Sequence, residues 1–174
     1  MAALIGRHIN KIDKKGRVSV PKPFRDSLAV ADEVSDFSGI YVYRSFKYPA
    51  IEGCGEAFIQ RLITSLDDLA LFSDEQDDLA ATLLENAHPM TYDPEGRVML
   101  PKELIEYAAI GSEAVFVGRG TRFQIWQLEA YESHNAKAFE RARSRGATLK
   151  LRPAAEVNDH PKDSDPPKGG GDDG

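Results

Sequence analysis

The chain contains the ten-residue stretch Asp13-Lys-Lys-Gly-Arg-Val-Ser-Val-Pro-Lys22 and, 80 residues later, the related stretch Asp93-Pro-Glu-Gly-Arg-Val-Met-Leu-Pro-Lys102. Six of the ten positions are identical at this offset: the Asp, the Gly, the Arg, the Val after it, the Pro and the final Lys. Each copy is followed by a short helix candidate and then by a β-rich run. Because self-similarity at a fixed separation indicates a repeated structural unit, we expect two copies of one supersecondary motif.

Each copy predicts a tight turn followed by a short strand. The aspartate stands at the first corner of the turn, where its carboxylate can accept hydrogen bonds from backbone amides ahead of it. The glycine three residues later supplies the positive φ that such a turn needs. One copy alone would be explained as a surface turn with a weak ion pair between Asp and Arg, but two matching copies favour a shared function. The predicted turn-shaping residues are Asp13, Gly16, Asp93 and Gly96.

Three longer helices are predicted between and after the repeats. Apolar residues in 58–69 recur at the spacing of an amphipathic helix, and Ser73-Asp-Glu-Gln76 is a capping-box pattern that starts a second helix. The segment 129–145 is a third helix with a basic end, followed by a glycine. The predicted organisation is a first repeat at 7–54, linking helices at 55–83, a second repeat at 84–128, a C-terminal helix at 129–152 and a disordered polar tail at 153–174.

Length and composition place the chain among ordinary globular proteins. It has 174 residues, of which 41% are hydrophobic and 29% charged, which suits one domain or two small ones. No apolar run reaches the roughly 18 residues needed to span a bilayer, and the first residues lack the features of a secretion signal. The single cysteine, Cys54, cannot form an internal disulfide, which fits a reducing compartment. We therefore expect a cytoplasmic protein with no membrane partner.

The net charge of −6 conceals an uneven distribution. Residues 1–25 hold seven basic side chains and one acid, a balance of +6, so the remainder carries −12. Residues 61–83 hold six acids and one arginine, a balance of −5, which helix-start chemistry mostly explains. The basic run is open to two interpretations, a solvated face or a basic loop directed at phosphates. Charge alone does not choose between them.

The two Asp-x-x-x-Arg turns, together with the later segment Val115-Phe-Val-Gly-Arg-Gly-Thr-Arg-Phe-Gln-Ile-Trp126, resemble the MraZ family over residues 5 to 145. The resemblance implies a mixed α+β fold in which tandem SpoVT-AbrB repeats form a swapped-hairpin β-barrel with flanking helices. It also implies a transcriptional regulator, acting as a repressor, of the bacterial division and cell-wall gene cluster including its own operon. Such regulators bind short direct repeats of double-stranded DNA as ring-like homo-oligomers, here an octamer or a dodecamer. We accordingly expect a nucleoid-associated protein.

The resemblance also assigns residues to DNA contact. The arginine of the family motif maps onto Arg17 and Arg97, and Lys14 and Lys15 fall in the same loop as the first. The second loop carries Pro94 and Glu95 in place of these lysines, so we expect its arginine to contribute less. Arginine suits bidentate contact with guanine, whereas lysines suit contact with phosphates. The predicted DNA-binding set is Arg17, Lys14, Lys15, Arg97, Lys11, Lys22 and Arg7.

Two other function classes compete with DNA binding. The acidic helix start and the polar tail favour an oligomeric protein-binding scaffold, for example an antitoxin-like module. An enzyme is disfavoured, because the four histidines are scattered without metal-ligand spacing and Cys54 has no basic residue within six positions. No catalytic residue, metal or cofactor is predicted.

Overall fold

The computed structural model describes residues 3–146 and 148–153. These ranges contain eight strands and five helices, so the predicted mixed α+β class is confirmed. The predicted disordered tail lies outside the described residues apart from its first position. In chain order the elements are β1 (Arg7–Lys11), β2 (Arg17–Ser19), α1 (Lys22–Ala31), β3 (Gly39–Arg44), β4 (Ile51–Cys54), α2 (Glu56–Asp67), α3 (Asp74–Leu83), β5 (His88–Thr91), β6 (Arg97–Met99), α4 (Lys102–Tyr107), β7 (Glu113–Gly118), β8 (Phe123–Trp126) and α5 (Leu128–Ser144).

The two repeats exchange their first hairpins. Strand β1 of the first repeat pairs with β7 of the second, and β5 of the second repeat pairs with β3 of the first. These pairings belong to a six-stranded sheet in the order β1-β7-β8-β4-β3-β5, and β2 and β6 form a separate two-stranded ribbon. A bridge between Ile12 and Val18 connects β1 to the ribbon. The interleaving expected from a swapped-hairpin fold is therefore present, and each repeat completes the other.

The core is continuous across both repeats. Val18 in β2 and Val98 in β6 face each other in register and are 0% and 2% exposed. Phe24 of α1 packs against Phe123 of β8, with ring centroids 5.5 Å apart. Because side chains alternate along a strand, burying the central valine of each ribbon strand turns its two neighbours outward. The arginine that begins each ribbon strand is thereby directed away from the core.

The helices cover one part of the sheet. Helices α2 and α3 pack on β3 and β4 through a cluster that includes Ile59 and Leu83. Ser73 caps α3 as predicted, since its hydroxyl accepts a hydrogen bond from the Gln76 amide at 3.2 Å. The reciprocal half of the predicted capping box is different, because Gln76 Oε1 accepts from the Phe72 amide and the Ser73 amide donates to the Ala70 carbonyl. Helix α5 packs through Tyr131 against a cluster around Trp126.

Candidate nucleic-acid interface

The first turn is held together by one carboxylate. Asp13 Oδ1 accepts hydrogen bonds from the backbone amides of Lys15 and Arg17, both at 2.9 Å. Its Oδ2 accepts a hydrogen bond from Arg17 Nε at 2.6 Å. Gly16 closes the turn at φ +84°, a conformation that L side chains rarely adopt. The carboxylate therefore fixes the backbone of the turn and the direction of the arginine side chain together.

The second turn repeats this geometry. Asp93 Oδ1 accepts from the amides of Glu95 and Arg97 at 2.9 Å, and Oδ2 accepts from Arg97 Nε at 2.7 Å. Gly96 has φ +75°. One difference concerns charge, since the Glu95 carboxylate lies 3.5 Å from Arg97 Nε. Arg97 thus faces two carboxylates where Arg17 faces one.

The ribbon sets the two arginines side by side. Arg17 lies opposite Met99, and Ser19 lies opposite Arg97, in antiparallel register. Residues offset by two positions across such a pair are diagonal neighbours on one face, with α-carbons about 7–8 Å apart. The side chains of Arg17 and Arg97 are 37% and 30% exposed. Both guanidinium groups therefore lie on the outer face of the ribbon, one beside each turn.

The hydrogen bonds of the turns shift the pKa values of Asp13, Asp93 and Arg97 toward their charged forms. The backbone hydrogen bond from Arg17 is the largest cause that lowers the pKa of Asp13 below its usual value, and the side-chain bond from the same residue adds to it. The Arg97 amide does the same for the pKa of Asp93. In return, the hydrogen bond that Arg97 Nε donates to the Asp93 carboxylate raises the pKa of Arg97. Each aspartate engages Nε of its arginine, so neither carboxylate occupies the terminal nitrogens, which keep their capacity to donate.

The other predicted contact residues are distributed unevenly around the turns. Lys14 and Lys15 are exposed within the first turn, and Lys11 is exposed at the adjoining end of β1. Lys22 follows the far end of β2, next to the second turn, and pairs with Asp26 at 2.7 Å. The structure thus gathers three lysines at the first turn and one at the second.

Arg7 is the member of the predicted set that the structure places apart. It begins β1, and the turn follows the opposite end of that strand. Its guanidinium lies over the Tyr131 ring of α5, 5.8 Å from the ring centroid. A cation in this position contributes a cation–π contact with the C-terminal helix, and it does not share a surface with the two turns.

Arg25 is a residue that the sequence analysis did not assign to the site. It belongs to α1 of the first repeat, yet a Cβ added to Gly96 in the second turn would lie 2.5 Å from its Cζ. Its Nε donates to the carbonyl of Val20 at 3.0 Å. The equivalent of Arg25 at the offset of 80 is Ile105, whose Cδ1 lies 3.1 Å from a Cβ added to Gly16. The second turn, whose own residues 93–97 include no lysine, therefore has a guanidinium from the first repeat packed against it.

Known proteins are similar to this one over most of the chain. Residues 83–152 match the family model described as "MraZ protein, putative antitoxin-like". A protein of Gluconacetobacter diazotrophicus named "Transcriptional regulator MraZ" is 41% identical over 143 residues, covering 82% of this chain and 90% of that protein. Proteins of the same name from Parvibaculum lavamentivorans and Pelagibacter ubique are 43% and 38% identical, each over 141 residues and 81% of this chain, covering 86% and 88% of the two relatives. The chain belongs to the MraZ family.

Membership of the MraZ family confirms the resemblance drawn from the tandem motif. The curated MraZ relatives extend over about four-fifths of the chain, which is more than the family model, whose match covers the second repeat and α5. Within residues 3–146 and 148–153, no helix is long and apolar enough to cross a bilayer. The same described ranges contain no group of three or more His, Cys, Asp or Glu side chains placed to hold a metal ion.

Proposed function

We propose that this MraZ chain is a sequence-specific DNA-binding transcriptional regulator that contacts double-stranded DNA through the outer face of the β2–β6 ribbon and its two turns. The observation that carries the proposal is the paired display of Arg17 and Arg97, each held rigidly by an aspartate at 2.6–2.7 Å. The name "Transcriptional regulator MraZ" borne by its relatives supports the regulatory role.

The geometry supports a division of labour between side chains. A guanidinium whose Nε is anchored presents its terminal nitrogens in a fixed plane, which suits guanine O6 and N7 in the major groove. One good bidentate pair is worth about 1–3 kcal/mol of discrimination against the wrong base. Lys14, Lys15 and Lys11 surround Arg17 and suit contact with phosphates, which adds affinity and salt dependence without reading sequence.

The net negative charge of the chain is compatible with DNA binding. The net charge is −6, but phosphate contact depends on the local field, and the first turn holds Lys14, Lys15 and Arg17 against Asp13 alone. Acidic residues elsewhere on the chain would repel DNA that approaches other faces. We therefore expect weak, strongly salt-sensitive binding to unrelated sequences and productive binding in one orientation.

The finer parts of the proposal come from the family resemblance. We propose that the chain acts as a repressor of the division and cell-wall gene cluster, including its own operon, and associates with the nucleoid. One subunit offers few base contacts, so a ring of eight or twelve copies on successive direct repeats would raise apparent affinity through effective concentration. The repeats at 7–54 and 84–128 would be the DNA-contacting units, joined by the helices of 55–83.

The test is a fluorescence anisotropy titration on DNA from the region upstream of the chain's own operon. Arg17→Ala should lower affinity by about 5-fold to 100-fold, the range that corresponds to loss of one bidentate contact with a guanine. Arg97→Ala should be milder, because Glu95 already neutralises part of its charge. Arg61→Ala, which removes an exposed arginine of α2, is the matched control and should bind like the wild type. Unchanged binding by Arg17→Ala, at equal fold and mass, contradicts the assigned role, and equal losses in both turn variants contradict the ranking.

A second candidate is a protein-binding module, favoured by the words "antitoxin-like" in the description of the matching family. Here the ribbon or the helices would contact another protein. A pull-down partner retained without DNA, together with no affinity for the upstream region, would replace the DNA-binding proposal with this one.

A further inference from the structure

The loop between α2 and α3 presents an apolar projection. Its tip is formed by Leu71 and Phe72, which are 71% and 91% exposed; we call these two residues the knob. Phe72 adopts φ +64°, a left-handed conformation that is uncommon for a bulky residue. Gln76 holds it there, because its Oε1 accepts from the Phe72 amide at 3.3 Å and its Nε2 donates to the Leu66 carbonyl at 3.3 Å. The fold therefore holds Phe72 in a backbone conformation that phenylalanine disfavours, with its aromatic side chain exposed to solvent.

A second surface has the complementary shape. A groove with a volume of about 310 Å³ opens between the β3–β4 loop, the start of α2, the end of α3 and α5. Its apolar lining includes Phe58 and Leu62 of α2, Tyr48, and Phe46, which is 70% exposed. This volume lies within the range, from about 300 Å³ upward, of pockets that accept a buried group.

The charges around the two surfaces are opposite in sign. The groove is lined by three basic residues, Lys47, Arg119 and Arg122, and by one acid, Glu52, whose Oε2 lies 3.4 Å from Arg122 Nε. Lys47 and Arg119 leave its rim with a net positive charge. The knob is flanked by acids on both sides, Asp67 and Asp68 before it and Asp74 and Glu75 after it. Opposed potentials of this kind steer association and fix its register.

The groove lies out of reach of the knob of the same chain. Phe58 is near the start of α2, and the knob follows the other end of that helix. Leu62 of α2 also lines the groove, so at 1.5 Å per residue the lining lies about 8–14 Å along α2 from its end at Asp67. Phe72 is 91% exposed and therefore does not occupy the groove of its own chain. Two complementary patches on different parts of one molecule make a heterologous, head-to-tail contact, which builds rings when the rotation closes.

We propose that the knob of one copy of this chain docks into the groove of the next, with Phe72 entering beside Phe46 and the flanking acids meeting the basic rim. The inference rests on the proposed function in one respect: it names the surfaces that would join the copies of the chain in the ring proposed there. It commits to a second copy of the chain as the occupant, and the contact it describes uses none of the residues assigned to DNA.

The first experiment measures the mass of the full chain by size exclusion with light scattering. Phe72→Ser and, separately, Phe46→Asp should each reduce the wild-type oligomer to chains of 19.2 kDa. Both side chains are mostly exposed, so the far-UV circular dichroism spectrum of each variant should match the wild type and show that the fold is kept. Val34→Ser, at a fully exposed apolar position, is the control and should leave the mass unchanged.

The second experiment mixes the two dissociated variants. The Phe46→Asp chain keeps an intact knob, and the Phe72→Ser chain keeps an intact groove, so an equimolar mixture should form a species of two chains. Each variant alone should not. A mixture that stays at the mass of one chain overturns the proposal, because the two surfaces would then not face each other.

The remaining outcomes separate this inference from the proposed function. A monomeric wild type, or a Phe72→Ser chain of wild-type mass, overturns the docking; the latter is expected if another part of the chain or a foreign protein fills the groove. Titration of DNA carrying a single repeat tests the function independently. Dissociated variants that still bind that DNA leave both proposals standing, and an assembled wild type without affinity for DNA removes the function alone.

Discussion

At the scale of single residues, the Asp13 carboxylate determines the shape of the first turn. It accepts two backbone amides and one guanidinium nitrogen, so it satisfies donors that a turn would otherwise leave to water. Asp93 does the same in the second turn. The aspartate is therefore a positioning residue for the arginine, and its own charge is part of the fold.

We expect this charge to appear in the pH dependence of stability. Because the pKa of Asp13 is lower in the fold than in the unfolded chain, its contribution is present above the unfolded pKa of about 3.9 and is lost as the pH falls through the folded pKa. The stability gap between the wild type and Asp13→Ala should then narrow as the pH is lowered from neutral into that acidic range. Urea titrations at a series of pH values measure the gap. A gap that stays constant below pH 4 would show that the carboxylate contributes no pH-dependent stability.

The two turns were predictable from sequence because their chemistry is local. Asp13, Gly16 and Arg17 lie within five positions, so spacing alone identifies the acceptor, the positive φ and the paired cation. The packing of Arg25 against Gly96 was not predictable in the same way. That contact joins residues 71 positions apart, and it depends on the exchange of hairpins between the repeats.

At the scale of secondary-structure elements, α2 begins without a cap of its own. Gly55 occupies the N-cap position and has no side chain to offer. The buried Asp32, which directly follows α1, supplies the cap instead, since Oδ2 and Oδ1 accept from the amides of Glu56 and Ala57 at 3.0 and 2.9 Å. The cap of α3 was predictable from sequence because Ser73 adjoins its helix. The cap of α2 was not, because Asp32 lies 24 positions before the amide that it caps.

We expect Asp32→Ala to destabilise the chain by about 1–2 kcal/mol, the cost of losing a helix N-cap. Asp32→Asn should cost less, because the amide oxygen can still accept one of the two bonds. The control is Asp36→Ala, an exposed aspartate in the following loop, which should stay within about 0.5 kcal/mol of the wild type. Denaturant unfolding followed by far-UV circular dichroism measures all three. A loss for Asp32→Ala no larger than the control's would show that α2 does not depend on this cap.

At the scale of the whole molecule, self-comparison of the sequence predicts two units but not how they are joined. Two similar motifs could form two separate domains or one interleaved fold, and the local sequence pattern is the same in both cases. The family resemblance implied the exchange, and the pairing of β1 with β7 and of β5 with β3 confirms it. The β1–β7 partners are 102 or more positions apart along the chain, and the β3–β5 partners are 46 or more apart. Such pairings are set by tertiary packing, which hydrophobic periodicity does not encode.

The exchange predicts that the two repeats unfold together. Val18 and Val98 meet in the core of the ribbon, so Val18→Ala leaves a cavity that both repeats share and should cost about 1–3 kcal/mol. The single tryptophan, Trp126, lies in the second repeat. Its fluorescence should nevertheless shift to lower denaturant concentration in the Val18→Ala variant, together with the circular dichroism of the whole chain. Val34→Ala, at an exposed site of the same repeat, should move neither signal.

Independent domains would give a different result, because a cavity in the first repeat would leave the Trp126 transition in place and split the unfolding curve into two phases. A double-mutant cycle sharpens the distinction. Since the two valines are in contact, Val18→Ala and Val98→Ala should not add, and their coupling should exceed about 0.5 kcal/mol. Additive losses in the free energy of unfolding would mean that the ribbon does not couple the two repeats. Non-additive losses within a single transition would mean that both repeats share one core, and that this core holds each turn in place.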